Sequence, residues 1–433
     1  MNILITGAKG FVGRNLVENL KTLADGRNKT RPDLHITKIY EYDIDNTEAE
    51  LDKFCSDCDF VFNLAGVNRP KDNSEFQAGN FGFASKLLTL LKKHGNLCPV
   101  MLSSSIQASL VGRFADSEYG RSKLAGEELF FKYSQETGSK VYVYRFPNLA
   151  GKWCKPNYNS AVATFCHNIA HDLPVNVHDR STVLELLFID DLLEEMFDAL
   201  EGKPHRCEYP KAGEGAGEVD GIDNIDNITP IPDRNGKYCY CPVTHKATLG
   251  EIVDLLHSFK KLNETLLIPE IPEGGLSSKL FSMYLSYLPP DKMSYPLRMN
   301  TDERGVFTEL LKTKNTGQVS INITRPGKTR GLHWHNHKWE IFMVVAGHGV
   351  IQERKIGEGR VGRNSETAEK AGNPYPVHSF EVWGSEMKAV IMLPGYTHSI
   401  TNLEKDRDLV TVMWANEAFD EKKPDTFRED VSV

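Results

Sequence analysis

Through residues 1 to about 200 the chain alternates short apolar runs with segments of helical period. Residues 2–6 read as a strand and 11–23 as a helix, and 36–42, 60–65, 100–103 and 141–145 predict the strands that follow. This rhythm predicts a Rossmann-type, doubly wound parallel sheet, because each parallel strand needs a crossover to bring the chain back to the same end. From 202 to 240 large apolar residues give way to Gly, Asp, Asn and Pro, which predicts a long, mobile surface insertion. Helical period returns over 249–256, so the insertion interrupts a domain and does not end it.

The pattern changes after 288–296, where prolines break structure twice. Beyond it, 318–324, 340–345, 388–393 and 409–414 alternate with period two between Gly and Pro punctuation, which predicts an all-β jelly-roll barrel. A second polar insertion spans about 357–377. The expected organisation is an α/β domain over 1–290 and a barrel over 297–433.

Charge and composition narrow the function classes. The 433 residues carry a formal net charge of −8 with no concentrated Lys or Arg run, so no nucleic-acid partner is expected. No apolar span approaches the ~20 residues that cross a bilayer, so no membrane insertion is expected. The chain runs from Met1 straight into a strand, which leaves no signal peptide in this reading. Eight irregularly spaced cysteines read as reduced thiols of a cytoplasmic protein. Cys55 with Cys58, and Cys207 with Cys239 and Cys241, lack finger-like spacing and make a poor zinc set.

Candidate chemistry in the first half begins at Gly7, Lys9, Gly10, Phe11, Val12 and Gly13, between the first strand and the first helix. Glycines there allow a tight turn and close approach to a pyrophosphate, whose charge the helix N-terminus stabilises. Asn63, Leu64, Ala65 and Gly66 follow another strand, Ser103, Ser104 and Ser105 end the next, and Tyr119 and Lys123 share one helical face. A nearby ammonium stabilises a phenolate and makes the phenol a usable acid near neutral pH.

These residues, with the stretch 145–151, resemble the extended short-chain dehydrogenase/reductase superfamily over residues 1 to about 285. The resemblance implies a nucleotide-sugar enzyme with Tyr119 as proton donor and Lys123 as its tuner. It implies a carbonyl-polarising serine at Ser105, with Ser104 the alternative. It also gives Asn80 and the pair Asp190 and Asp191 structural roles. Cofactor identity stays open: Asp43, ending the second strand, favours the ribose hydroxyls of NADH, whereas the nearer family named below uses NADPH.

In the second half His333, His335 and Glu340 lie between Gly327 and Gly347, and His398 and Asn402 follow. Imidazoles on alternate strand residues face the same way. A carboxylate and a distant imidazole complete an N/O set suited to zinc or another divalent metal. The pattern resembles the cupin superfamily, with His337 a spare at the rim. Arg330 and His333, with Asp302, Arg304, Phe307 and Glu309, also resemble deoxysugar-nucleotide 3,5-epimerases. There the matching histidine is a general base and the arginine contacts substrate, so His333 is open to both roles.

Across nearly the whole chain, and specifically at 64–70, 102–107, 151–159 and 284–288, the sequence resembles CapF-type capsular polysaccharide enzymes, an extended reductase fused to a cupin. That resemblance implies a homodimer acting on a UDP-4-keto-6-deoxy-2-acetamido sugar. The cupin would epimerise C3 and the reductase would reduce the C4 ketone to a UDP-2-acetamido-2,6-dideoxy-talose, toward N-acetyl-L-fucosamine. The alternatives are an NAD-dependent 4-epimerase or dehydratase with a structural cupin, and a non-catalytic sugar-nucleotide-binding protein.

Overall fold

The structure is a computed structural model that describes residues 1–68, 70, 72, 76–210, 228–268, 274–356 and 376–431. It divides into two compact units, Met1–Leu256 with Ser282–Leu288, and His257–Phe281 with Pro289–Val433.

The first unit is built on β1 (Asn2–Thr6), β2 (Lys38–Tyr42), β3 (Phe60–Asn63), β4 (Val100–Ser105) and β5 (Val141–Phe146). They pair in parallel in the order β2-β1-β3-β4-β5. The helices between them are α1 (Phe11–Ala24), α2 (Glu48–Asp57), α3 (Phe83–Lys93) and α4 (Glu118–Thr137). Alternation along each strand serves two faces. Ile3, Ile5, Phe60 and Phe62 pack with Leu16 and Leu20 of α1 and with Met196. Leu4 and Val61 pack with Leu51 of α2, Leu87 of α3 and Phe130 of α4. Burial on both faces explains why these strands are continuously apolar; each such side chain contributes roughly 1.5–3 kcal/mol. The chain steps from β1 to β2 on one side and to β3 on the other. A ligand crevice therefore opens at the carboxyl ends of β1 and β3.

The expected surface loop over 202–240 needs correction. Arg206–Glu208, Ile231–Pro232 and Tyr238–Cys239 continue the sheet beyond β5, with Tyr238–Cys239 parallel to it. The physical reason is that Cys207 and Cys239 are small apolar residues, fully buried, in an otherwise polar stretch. Residues 211–227, and 357–375 of the second expected insertion, lie outside the described residues.

The second unit is all-β at its centre. One sheet runs Leu267–Ile268, Gly305–Thr313, Gly317–Thr324, Leu409–Ala415, Glu340–Ala346 and Ala389–Met392. The other runs His378–Trp383, His348–Lys355, Tyr396–Asn402, Thr329–Trp334 and Phe427–Arg428. Phe342, Val344 and Leu409 from the first pack with Ile351, Val382 and Ile400 from the second. One strand is inverted relative to the usual pattern. Gln318, Ser320, Asn322 and Thr324 are buried, while Val319, Ile321 and Ile323 face outward and are half-buried. The barrel interior is thus polar along this strand.

Candidate active sites

The turn after β1 is shaped by two close approaches. Gly7 has φ +69°, and a Cβ on it would lie 2.8 Å from the Ala65 nitrogen; one on Gly13 would lie 2.1 Å from the Gly7 carbonyl oxygen. Side chains at either position would push the turn, the helix and the loop after β3 apart. Gly10 caps α1 without a side-chain bond, which leaves amides at the helix start for an anion. Phe11 and Val12 anchor that start on the core. Leu64 donates its amide to the Thr6 carbonyl at 3.2 Å, and Ala65 donates to the Thr6 hydroxyl at 3.3 Å. Asp43 accepts the Lys9 amide at 2.7 Å, and the Lys9 ammonium pairs with Asp45. Gly7, Lys9, Gly10, Phe11, Val12, Gly13, Asp43, Leu64 and Ala65 therefore border one turn.

Ser117 starts α4 by accepting the Gly120 amide at 2.9 Å and ties itself to Gln107 at 2.8 Å. Gly120 lets the helix press on the Gln107 carbonyl, since a Cβ there would lie 2.3 Å from it. This contact sets Tyr119 beside Ser105. Burial raises the phenol's pKa, and the neighbouring Ser105 hydroxyl draws it partway back. Lys123, one turn on, is buried, sits 5.7 Å from the centre of the Tyr119 ring and donates to the Ser103 carbonyl at 3.0 Å. Burial brings its ammonium down to about 8 against the pull of Glu127.

Ser104 is not part of this group. Strand parity turns it to the opposite face of β4, where it donates to Glu127, itself held by Arg145 at 2.6 Å. The sequence alternative to Ser105 is corrected on that ground. Asn80 clamps the loop after β3 through both the amide and the carbonyl of Val67, at 3.0 and 3.1 Å, and bonds Ser122 at 3.0 Å. Gly66 fits only as glycine, because a Cβ would lie 2.7 Å from Asn80 Oδ1 and 3.1 Å from Lys123 Nζ. Asp190 pairs with Lys152 at 2.7 Å, away from the phenol.

Two hollows lie in the first unit, one of them beside Ser105. One of about 270 Å³ is lined by Ser105, Gln107, Arg113, Phe146, Asn148 and Leu184. A cleft of about 690 Å³ is lined by Asn157, Asn159, Ser160, Phe165, His178 and Leu249, among others.

In the barrel, candidate ligand atoms of His333, His335, Glu340 and His398 all lie within 4.8 Å of one another. His335 Nε2 and His398 Nε2 approach Glu340 at 3.6 and 3.5 Å. Both nitrogens are buried and have no hydrogen-bond partner among the described residues. Unpartnered buried imidazole nitrogens converging on one carboxylate fit a divalent cation, because a cation would satisfy all of them together. His335 Nδ1 bonds the Asp425 carbonyl, which fixes Nε2 as the free nitrogen. Burial, with His398 adding to it, drops the His333 ring to about 3, so it is neutral. Burial would raise the Glu340 carboxyl, but its contacts with His335 and His398 hold it well below the usual range. His337 is exposed and pairs with Asp425 at 3.1 Å, outside the cluster.

A bulge produces the cluster. Arg330 pairs with Ile400, Gly331 with Ser399 and His333 with His398, so Leu332 is an extra residue, at φ +61°. The insertion turns Arg330 to the same interior face as His333 and His335. Arg330 is buried, reaches Asp302 at 3.3 Å and leaves its Nε unpartnered. Sequence reasoning missed Glu353. It is buried directly across the ladder from His398, and burial pushes its carboxyl up to about 7. No motif surrounds it; only its inward parity with Ile351 marks it.

Comparison with known proteins follows the two units. Residues 3–207 match the NAD dependent epimerase/dehydratase family, and 300–427 match the polysaccharide biosynthesis C-terminal domain. A Pseudomonas aeruginosa protein named UDP-2-acetamido-2,6-beta-L-arabino-hexul-4-ose reductase is 34% identical over 427 residues, covering 99% of this chain and 98% of its own. The crystal structure of the capsular polysaccharide assembling protein CapF from Staphylococcus aureus is 40% identical, covers 100% of both chains and superposes with a TM-score of 0.78. A second CapF structure, with the inhibitor 3-isopropenyl-tropolone, is 38% identical over 100% of both chains with a TM-score of 0.75.

Proposed function

Because the chain belongs to the CapF family of capsular-polysaccharide enzymes and is a nucleotide-sugar epimerase/reductase, we propose that it performs two consecutive steps on one sugar. The barrel epimerises C3 of a UDP-4-keto-6-deoxy-2-acetamido sugar. The α/β domain, over about 1–290, then reduces the C4 ketone to a UDP-2-acetamido-2,6-dideoxy-talose, toward N-acetyl-L-fucosamine for surface polysaccharide. The observation that carries this reading is one chain holding both a Ser105–Tyr119–Lys123 group beside a dinucleotide turn and a four-ligand cluster in a barrel. The name of the Pseudomonas relative, a reductase of a hexul-4-ose, supports the second step.

When bound, the nicotinamide supplies hydride and the metal, held by His333, His335, Glu340 and His398, supplies fixed positive charge. The chain's own residues do the rest. Ser105 donates a hydrogen bond to the ketone oxygen and Tyr119 gives the proton that converts the alkoxide to alcohol. Lys123 stabilises the phenolate left behind. In the barrel, the ketone acidifies the C3 proton, and Arg330 is placed to neutralise charge on the substrate. His333 is neutral and so open to ligand or base. Convergence of four donor atoms supports the ligand role, in which water at the site would take the C3 proton; as base, His333 would take it itself. In both cases solvent returns a proton on the opposite face. The cleft lined by polar Asn159 and Ser160 and by apolar Phe165 and Leu249 suits a uridine diphosphate. NADPH is the proposed donor, with Lys9 facing the 2′-phosphate. The acids around Lys9 favour the second reading, in which tightly held NAD serves a 4-epimerase.

The test is incubation of the full chain with a UDP-4-keto sugar in deuterated water, with and without NADPH. Deuterium at C3 without cofactor, and cofactor oxidation once it is added, are expected. Exchange at C3 absent in both arms would refute the epimerase half, and turnover without net oxidation would favour the 4-epimerase.

A further inference from the structure

His333, His398 and Glu353 form one row across three neighbouring strands, with His398 in the middle. Residues directly opposed in an antiparallel ladder bring their Cβ atoms within about 4.5–5.5 Å and face the same side. The interior position of Glu353 follows from its register: Ile351 opposes Ile400, both in the barrel core, and Glu353 opposes His398 two residues on. Glu353 is 3% exposed and His398 0%. Each leaves a buried polar atom without a hydrogen-bond partner among the described residues, Oε1 of Glu353 and Nδ1 of His398. The other Glu353 oxygen accepts the Leu393 amide at 3.4 Å. The same turn fixes the neighbouring ligand, since Gly395 donates its amide to the His335 carbonyl at 2.8 Å.

Two buried side chains on one interior row, each with a polar atom left unpartnered, are costly unless those atoms are used together. His335 shows how this barrel orients a ligand, with its outer nitrogen on the Asp425 carbonyl and its inner one free. His398 has its inner nitrogen in the cluster, and Glu353 is the acceptor across the ladder from it. We propose that Glu353 is the positioning residue of His398, accepting its Nδ1–H through one bridging water and holding Nε2 toward the metal. The inference rests on the metal-centre reading above. Ligand histidines commonly donate their second nitrogen to a carboxylate, and loss of such a partner weakens metal affinity about 10–100-fold.

The test uses the full chain, stripped of metal and titrated with zinc against a chelating indicator, as wild type, Glu353→Met, Glu353→Gln and His335→Ala. Wild type should bind one zinc and His335→Ala should lose it. Glu353→Met should bind roughly 10–100-fold more weakly and Glu353→Gln should fall between. Without metal, Glu353→Met should melt close to wild type, because it removes a buried carboxyl whose one bond is the long one from the Leu393 amide. A wild type that binds zinc while both Glu353 variants bind it equally well overturns the positioning role. A wild type that binds no zinc overturns the metal centre itself, a separate outcome. If Glu353→Met fails to fold, the Gln variant decides: affinity unchanged within twofold refutes the proposal.

Discussion

His333 and His398 stand directly opposite each other on paired strands because Leu332 is an extra residue in the ladder between them. Gly331, at φ +88°, makes the bulge possible, and a Cβ on it would lie 2.7 Å from the His398 carbonyl oxygen. Replacing Gly331 with Ala should therefore destabilise the barrel by about 1–3 kcal/mol, from left-handed backbone and overpacking. The midpoint of the barrel's denaturant transition should fall, and zinc affinity with it. An unchanged midpoint would mean that the ladder tolerates the side chain.

The two serines at the end of β4 should behave differently. Ser105→Ala removes the hydroxyl beside the phenol and should lower kcat for ketone reduction about 10²–10³-fold, with little change in melting. Ser104→Ala removes a bond to the buried Glu127 and should cost about 1 kcal/mol of stability while leaving kcat within twofold. Paired kinetics and melting curves distinguish them; equal kinetic losses would contradict the placement.

Lys123 predicts a pH dependence. Burial lowers its folded pKa from 10.5 to about 8. Below pH 8 the folded and unfolded chains both hold the proton, so the buried charge exerts its full destabilising effect. Between about 8 and 10.5 only the unfolded chain holds it, so this effect fades as pH rises. Catalysis runs the other way: kcat/KM for reduction should decline as pH rises through about 8, when Lys123 stops stabilising the phenolate. Lys123→Met should abolish that inflection and lower the rate roughly 10²–10⁴-fold. An unchanged inflection in the variant would assign it to another group.

Lys9 bears on the cofactor. Its ammonium is paired with exposed Asp45 at the edge of the dinucleotide turn. Lys9→Ala should raise KM for NADPH about tenfold, ~1.4 kcal/mol, and leave KM for NADH nearly unchanged. Equal effects on both cofactors would remove Lys9 from the 2′-phosphate site.

Much of this was legible in the sequence because the chemistry is local. The glycines, Tyr119 with Lys123, and His333 with His335 and Glu340 sit at short fixed spacings on single elements. The exclusion of Ser104 needed only strand parity. What escaped depends on pairing between distant strands. The extra residue at Leu332 appears only in the register against His398, and without it Arg330 would be placed on the outer face. Glu353 stands in no motif and gains meaning only across the ladder. The stretch 317–324 misleads for another reason: its polar residues face inward, so alternation marks the strand and not its buried side.

The central claim is a division of labour between the two units, and Tyr119→Phe tests it most directly. C3 deuterium exchange and NADPH oxidation are followed in parallel on the UDP-4-keto sugar. Exchange should persist within about twofold of wild type, while oxidation falls roughly 10²–10⁴-fold, the usual worth of a positioned proton donor. Loss of both signals together would contradict the claim.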